Sequence, residues 1–279
     1  ELGLVGSGPA VESFTAACSD VDCSVRRIEP SALGSSTAES LPAVGAVIAP
    51  TGADVFSAAA AGFDRWVAVE IGGVGGHPID AVDATVSLYS PASGCYRCLR
   101  TRVGAAREQQ PTGSPSGSKS EVRLAGAIAG AELIGLLSGD RVGGRVVEIP
   151  WQERTFLPVP GCDCADGSPD RSLELSHRSV DVGDALSRAE RAVDDRLGLV
   201  AQVGERESFP VPYYIASTAD TTGFSEVRAA EFAAGVDIDW DRAYMKALGE
   251  ALERYSAGVY RRGALDGGSE RTRAKPVSP

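Results

Sequence analysis

Two close pairs of cysteines are the residues in this sequence best suited to chemistry. Cys95 and Cys98 are separated by two residues, and Cys162 and Cys164 by one. Four thiolates on two such knuckles suit tetrahedral zinc. No histidine lies nearby in the sequence, and four sulfurs leave no ligand position for water, so we predict a structural Zn²⁺ site. The alternatives are a thioredoxin-like redox pair at Cys95 and Cys98, or two buried pairs that do not meet.

Two glutamates and an arginine near the end of the chain form the next candidate site. Glu250 and Glu253 are three residues apart, a spacing that puts both carboxylates on one face of a helix. Hard oxygen ligands suit Mg²⁺, which commonly takes one or two carboxylates together with phosphate oxygens. Arg254 then pairs with a phosphate or braces a carboxylate. The alternative is a solvated acidic face with ordinary salt bridges.

A glycine turn follows the first apolar run of the chain. Gly6-Ser7-Gly8 after a buried strand allows close approach of a phosphate, which the next helix N-terminus would stabilise. Glu29 closes the second strand, where a ribose-binding acid would stand. However, Val11 occupies the third glycine position of the fingerprint, and Pro9 removes an N–H group. The alternative, a tight turn retained for packing, therefore carries more weight.

The elements around these residues alternate between strand and helix, which predicts a mainly parallel, Rossmann-like α/β sheet. The predicted strands are residues 2–5, 25–28, 44–48, 66–70 and 145–149. The predicted helices are residues 11–17, 53–61 and 122–137. Residues 108–120 are rich in Pro, Gly and Ser and are predicted to form a mobile loop, and residues 166–170 a turn.

The organisation changes near residue 184, so we predict two domains, 1–170 and 180–279. Four residues of the second domain are expected on one helical face: Leu186, Ala189, Val193 and Leu197. Two strands are predicted at 198–203 and 212–217. A helix at 239–260 follows, with Asp239 as its N-cap. Its predicted apolar face consists of Met245, Leu248, Leu252 and Tyr255.

Composition narrows the possible partners. The 279 residues carry a formal net charge of −11, which argues against binding to nucleic acid or to an anionic membrane surface. No targeting signal or run of 18 apolar residues is present, so we expect a cytoplasmic protein that does not span a membrane. His77 and His177 have no nucleophile beside them in the sequence and are expected at the surface.

Two motifs resemble known families. Cys95-Tyr96-Arg97-Cys98-Leu99, with the later Cys162-Asp163-Cys164 and the glycine turn, resembles the ThiF/MoeB family of ubiquitin-activating-like proteins over about residues 1–165. In that family two cysteine pairs hold zinc. Residues 243–255 are similar to the signature helix of YcaO-domain proteins. That resemblance implies that Glu250 and Glu253 help to hold the Mg²⁺ ions of bound ATP.

The order of the two motifs resembles fused cyclodehydratases that modify ribosomal peptides. The resemblance implies phosphorylation of a backbone amide oxygen by ATP, attack by a neighbouring Cys, Ser or Thr side chain, and formation of an azoline ring. A ribosomal precursor peptide is the implied partner, and a second copy of the chain is an alternative partner. The YcaO domain is expected to be truncated at residue 279. A non-catalytic zinc-stabilised scaffold is the alternative function, and an adenylyltransferase of the ThiF/MoeB type ranks last.

Overall fold

The computed structural model describes residues 1–21, 23–33, 41–91, 93–106, 115–165 and 179–259. The first part contains nine strands: β1 (Leu2–Gly6), β2 (Val25–Arg27), β3 (Val44–Pro50), β4 (Arg65–Ile71), β5 (Gly73–Val74), β6 (His77–Pro78), β7 (Ala84–Tyr89), β8 (Arg145–Ile149) and β9 (Gln152–Thr155). Its helices are α1 (Pro9–Ser19), α2 (Val55–Gly62), α3 (Tyr96–Ala105) and α4 (Lys119–Ser138). Short 3₁₀ turns occupy Pro30–Ala32 and Asp163–Ala165.

Seven of these strands form one sheet in the order β2-β1-β3-β4-β7-β8-β9. The first four are parallel neighbours, and each later neighbour is antiparallel to the one before it. Because β8 is antiparallel to β7, it points the same way as β4, so only β7 and β9 run in the opposite direction. The predicted mainly parallel α/β sheet is confirmed, with an antiparallel extension at one side. Strand β7 and helix α3 were not predicted.

Helices cover both faces of this sheet. On one face α1 packs closely on α4, where a Cβ added to Gly126 would lie 2.0 Å from the carbonyl oxygen of Ala10. On the other face α2 and α3 cover an aromatic cluster in which the Trp66 and Tyr89 rings stack at 4.3 Å. Burying both faces explains why the central strands read as continuous apolar runs.

The second part contains a three-stranded antiparallel sheet with two helices. Its strands are β10 (Val200–Glu207), β11 (Tyr213–Thr218) and β12 (Phe232–Val236), and its helices are α5 (Val182–Ala189) and α6 (Trp240–Ala257). Asp239 caps α6 by accepting a hydrogen bond from the Arg242 amide, as predicted. The helix is seated on β12 at Gly235, where an added Cβ would lie 2.2 Å from the carbonyl oxygen of Ala243. Strand β12 was not predicted.

Two details of the second part differ from the sequence prediction. Helix α5 ends at Ala189 and a 3₁₀ turn ends at Ala192, so Val193 and Leu197 lie outside the helix that was expected to contain them. Leu197 instead packs into the core of the first part. Leu248 and Tyr255 of the predicted apolar face of α6 are buried as expected, whereas Met245 and Leu252 are only partly buried. The small side chains of Ala247 and Ala251 are buried beside Leu248 and allow the helix to approach the sheet.

A buried ion cluster joins the two parts. The Arg154 side chain is 2% exposed and lies 3.1 Å from Glu148 on β8 and 2.8 Å from Asp194. It also contacts Asp195. The Arg196 guanidinium lies 2.6 Å from the same Glu148 carboxylate. The predicted division into two domains stays a prediction, but charged groups from both parts share this interior site.

Several sequence predictions fall partly or wholly outside the described residues. The loop at 108–120 is described from residue 115, and α4 already begins at Lys119, capped by the Ser118 hydroxyl. The turn at 166–170 and His177 are outside the described part of the chain, as is the end of the helix predicted to reach residue 260. Among the described helices, none has the length and apolar character needed to cross a bilayer.

Candidate metal centre and nucleotide-binding helix

The four predicted cysteines meet in one cluster. Cys95 is the N-cap of α3 and Cys98 lies in its first turn, while Cys162 and Cys164 flank the start of a 3₁₀ turn after β9. The sulfur–sulfur distances are 3.8 Å between Cys95 and Cys98, 3.7 Å between Cys95 and Cys162, and 3.4 Å between Cys98 and Cys164. All four sulfurs lie within 4.8 Å of one another. The two pairs are therefore one site, not two.

This cluster fits a four-sulfur zinc site. A tetrahedron with Zn–S bonds of ~2.3 Å has sulfur–sulfur edges of about 3.8 Å, close to the observed separations. All six cysteines are free thiols, and the meeting of the two pairs removes the alternative of two separate buried pairs. Within the described ranges, the four cysteines are the only group of three or more metal-ligating side chains close enough to share an ion.

The thiols titrate as an interacting set. The hydrogen bond with Cys98 lowers the pKa of Cys95 to about 5, whereas that bond and burial raise the pKa of Cys98. Burial raises the pKa of Cys164 to about 11. A first thiolate thus forms readily, and further thiolates beside it are opposed. A divalent cation would remove that opposition, since a coordinating thiol is deprotonated by the metal charge.

The residues around the cluster hold α3 in place. The Val159 amide donates to the Cys98 sulfur at 3.2 Å. Next to it, the Tyr96 hydroxyl lies 3.0 Å from the carboxylate of Glu70, which is fully buried at the end of β4. Glu70 also accepts hydrogen bonds from the Gly75 and Gly76 amides. The glycine loop after β4 is thereby fastened to α3, a role for Glu70 that sequence analysis missed.

Helix α6 presents the predicted acidic pair on its polar side. Glu250 accepts a hydrogen bond from the Ala234 amide of β12 at 3.1 Å through one oxygen and from Arg254 at 3.0 Å through the other. These two contacts lower the pKa of Glu250. Glu253, one turn further on, is exposed. The two carboxylates therefore share a side of α6, but only Glu250 is braced by the strand.

The outer edge of β12 is covered by side chains of α6. The Lys246 ammonium donates to the Val236 carbonyl and the Arg254 guanidinium to the Phe232 carbonyl, both at 3.1 Å. The Ala234 amide donates to Glu250. Side chains of α6 therefore bond a backbone group at every second residue of β12, namely Phe232, Ala234 and Val236. Edge groups of this kind otherwise remain open to another strand.

The role of the acidic pair as magnesium ligands stays a prediction. A carboxylate has about four lone-pair sites, and Glu250 accepts three hydrogen bonds, one from the Ala234 amide and two from Arg254, so about one site is left for a cation. The described part of the chain places no third acidic side chain in a metal cluster with them. Phosphate oxygens and water would have to complete the octahedron, as is usual for Mg²⁺ with ATP.

The glycine turn supports the packing interpretation. A Cβ at Gly6 would lie 2.3 Å from the carbonyl oxygen of Ile48 on the neighbouring strand, and Gly6 has φ 128°. Arg27 covers the turn by donating to the Gly6 carbonyl at 3.1 Å. Glu29 is exposed beyond the end of β2. Close strand approach alone explains why glycine stands at position 6, and a nucleotide at this turn stays a prediction.

His77 is half-buried, so the surface prediction holds only in part. Its ring nitrogen lies 3.2 Å from the backbone carbonyl oxygen of Arg100. Burial lowers its pKa, so the imidazole is neutral at pH 7. The ring marks one wall of a groove beside α3.

Comparison with known proteins finds a solved structure with a similar fold. No protein-family model matches the sequence, and no curated protein matches it. A solved structure of a heterocyclase in complex with substrate and cofactor is similar with a TM-score of 0.58 and 16% sequence identity. The match covers 94% of this chain. The chain has the fold of part of a heterocyclase. It spans 40% of the length of that heterocyclase, and both parts described above lie within the matched portion.

Proposed function

We propose that this chain contributes to ATP-dependent cyclodehydration of ribosomal peptides, the YcaO type of heterocyclase chemistry. The observation that carries the proposal is the match over 94% of the chain to a heterocyclase, combined with a helix that carries Glu250 and Glu253 on one side. Sequence identity of 16% supports shared fold, and the site residues supply the chemical argument.

In this proposal α6 is the nucleotide-binding helix. Glu250 and Glu253 hold Mg²⁺ bound to ATP, and Arg254 keeps Glu250 oriented while its remaining donors face a phosphate. When bound, ATP supplies the phosphoryl group that activates the peptide amide oxygen. The chain's own contribution is a rigid seat: α6 is held on β12 through Gly235, so both carboxylates have a fixed position.

The four-cysteine cluster has a structural role in this proposal. Zn²⁺ held by Cys95, Cys98, Cys162 and Cys164 fastens α3 to the segment after β9. A ThiF-like origin of the first part belongs to the same proposal. We place the protein in the cytoplasm, because the cytoplasm keeps thiols reduced and supplies ATP.

Calorimetry with Mg-ATP tests the nucleotide site directly. Glu253→Gln is the cleaner variant because Glu250 also braces β12. We expect Glu253→Gln to weaken Mg-ATP binding by at least about tenfold. Glu207→Gln, which removes an exposed carboxylate from β10, is the matched control and should leave affinity unchanged. Equal affinities for the wild type and Glu253→Gln would refute the role of this carboxylate.

Product formation is the second test. The protein is incubated with ATP, Mg²⁺ and several Cys-rich precursor peptides, and mass spectrometry follows the loss of one water per ring. If no peptide causes ATP consumption or a mass change, the result would argue for the second candidate function, a non-catalytic zinc-stabilised scaffold. That candidate is favoured by one observation: both oxygens of Glu250 already have partners within the chain. It predicts no affinity for Mg-ATP.

A further inference from the structure

A groove with two arginines runs between α2 and α3, beside the four-cysteine cluster, whose Cys95 contributes to its lining. Its volume is about 670 Å³. Ser57 and Ala60 of α2 form one wall, Arg97 and Arg100 of α3 the other, and Gly223 approaches from the second part of the chain. We call it the α2–α3 groove.

The groove carries two arginines on an acidic protein, together with Cys95 of the four-cysteine cluster. The chain has a net charge of −11, yet no carboxylate is found among the described residues that line the groove. Arg97 has one exposed partner, Asp163 at 3.7 Å, in a pair whose side chains are 69% and 90% exposed. Exposed pairs of this kind contribute little, so Asp163 can be exchanged for a carboxylate from a ligand.

Arg100 is the better-positioned of the two cations. Its side chain runs beside Gly76, where an added Cβ would lie 3.6 Å from the Arg100 Cδ atom. In the described part of the chain no carboxylate lies within ion-pair distance of its guanidinium. Because Glu70 fastens the Gly75–Gly76 loop and Tyr96 to each other, the exposed Arg100 side chain rests on a fixed support.

The shape of the groove indicates what it binds. It lies between two helices on one face of the sheet, and His77, just beyond the carboxyl end of β4, lines part of it. Ala60, Gly104 and Gly223 are small and leave room for a backbone. Arg97 and Arg100 are three residues apart on α3, about 5–6 Å between their Cβ atoms. Alternate residues of an extended peptide are about 6.6 Å apart, a similar spacing.

We infer that the α2–α3 groove binds an extended acidic peptide segment with carboxylates at alternate positions. Clusters of arginine commonly recognise acidic motifs, because the guanidinium fork matches the two carboxylate oxygens. The choice of a peptide over another polyanion rests on the proposed peptide-modifying function. Binding at this groove needs neither ATP nor Mg²⁺, so its failure and the failure of the nucleotide site are separate results.

Fluorescence anisotropy with designed peptides tests this inference in the absence of nucleotide. The probe is a short labelled peptide of alternating Glu and Ser, compared with a peptide of the same composition whose Glu residues are grouped, and with a Gln-and-Ser peptide. We expect the alternating peptide to bind tightest and the Gln peptide not to bind. Affinity should fall as salt rises, because the contacts are exposed.

Three variants locate the binding site. Arg97→Gln and Arg100→Gln should each weaken binding about 2–5-fold, and Ser57→Glu should weaken it through like-charge repulsion from the facing wall. Arg123→Gln on α4, at the opposite face of the sheet, is the matched control and should have no effect. Circular dichroism verifies that each variant folds.

Several outcomes would overturn the inference. Equal affinity for the alternating and grouped peptides would refute the spacing argument. An equal loss of affinity in Arg100→Gln and Arg123→Gln would show that binding depends on overall charge. Inorganic phosphate and unlabelled alternating Glu peptide are also compared as competitors of the labelled peptide. If phosphate displaces it at the same concentration as the unlabelled peptide, the groove is assigned to phosphate groups instead.

Discussion

Replacing Gly235 by alanine should unseat α6 and thereby disturb the proposed nucleotide site. A Cβ at this position would lie 2.2 Å from the Ala243 carbonyl oxygen and 2.3 Å from the Ala247 amide nitrogen. Both are helix backbone atoms, which no side-chain rotation can move. Ordinary contact begins at 3.4 Å, so strand and helix must separate by about 1 Å. Overpacking on this scale costs about 1–3 kcal/mol.

The same movement should reach Glu250. Its hydrogen bond from the Ala234 amide is 3.1 Å long, and an added displacement of about 1 Å exceeds hydrogen-bond reach. We therefore expect Gly235→Ala to lower the free energy of unfolding and also to weaken Mg-ATP binding. Urea unfolding followed by circular dichroism measures the first effect, with a fall in the midpoint of about 1 M for a urea slope of 1–3 kcal/mol/M.

Gly249→Ala provides a matched control in the same helix. A Cβ at Gly249 meets nothing within 4 Å, so the substitution only removes the backbone freedom of a glycine within a helix. Stability should rise by about 0.5–1 kcal/mol. Equal urea midpoints for the two variants, or a less stable Gly249→Ala, would refute the described approach of α6 to β12.

Three further predictions concern the first part and its junction. Cys98→Ser should abolish stoichiometric zinc, as measured by plasma mass spectrometry, and lower the melting temperature; retention of one zinc would contradict the four-sulfur site. Arg154→Ala should cost about 1–3 kcal/mol in urea unfolding, because Glu148 loses one of its two arginine partners and Asp194 loses its own, and an unchanged free energy of unfolding would contradict this. Burial raises the pKa of Glu70, so the folded state binds its proton more tightly. The stability advantage of wild type over Glu70→Gln should therefore shrink as pH rises from about 4.3 toward the raised pKa, and a gap that widens in urea titrations would refute that sign.

The elements that sequence predicted are those with local signals. Apolar runs predicted β1, β3 and β4. The residue type and spacing of Cys95 and Cys162 were enough to predict that the cysteines form one cluster. Helix α3 was missed because Arg102 interrupts its apolar face. In the structure Arg102 is buried and donates to the backbone carbonyls of Leu157 and Pro158, partners more than fifty residues away. No local pattern contains that information.

Strand β12 was missed for a different reason. Its sequence, Phe-Ala-Ala-Gly-Val, is rich in small residues that have weak strand preference. Those residues are needed because α6 comes close enough to exclude any larger side chain at Gly235. The larger apolar residues of α6 predicted its buried face only in part, because Leu248 and Tyr255 are buried but the small Ala247 and Ala251 are buried with them. The bracing of Glu250 depends on this register and was not accessible from spacing.

The cover that α6 lays along the outer edge of β12 has a consequence for handling this protein. Lys246, Glu250 and Arg254 satisfy backbone groups that would otherwise recruit a strand from a neighbouring molecule. Neutralising these side chains by substitution therefore leaves backbone groups of β12 unpaired. These groups lie beside the side chains of Phe232 and Val236, which are already exposed. Aggregation of such variants would reflect loss of edge protection, so activity losses at Glu250 are interpretable only in preparations verified to be monodisperse.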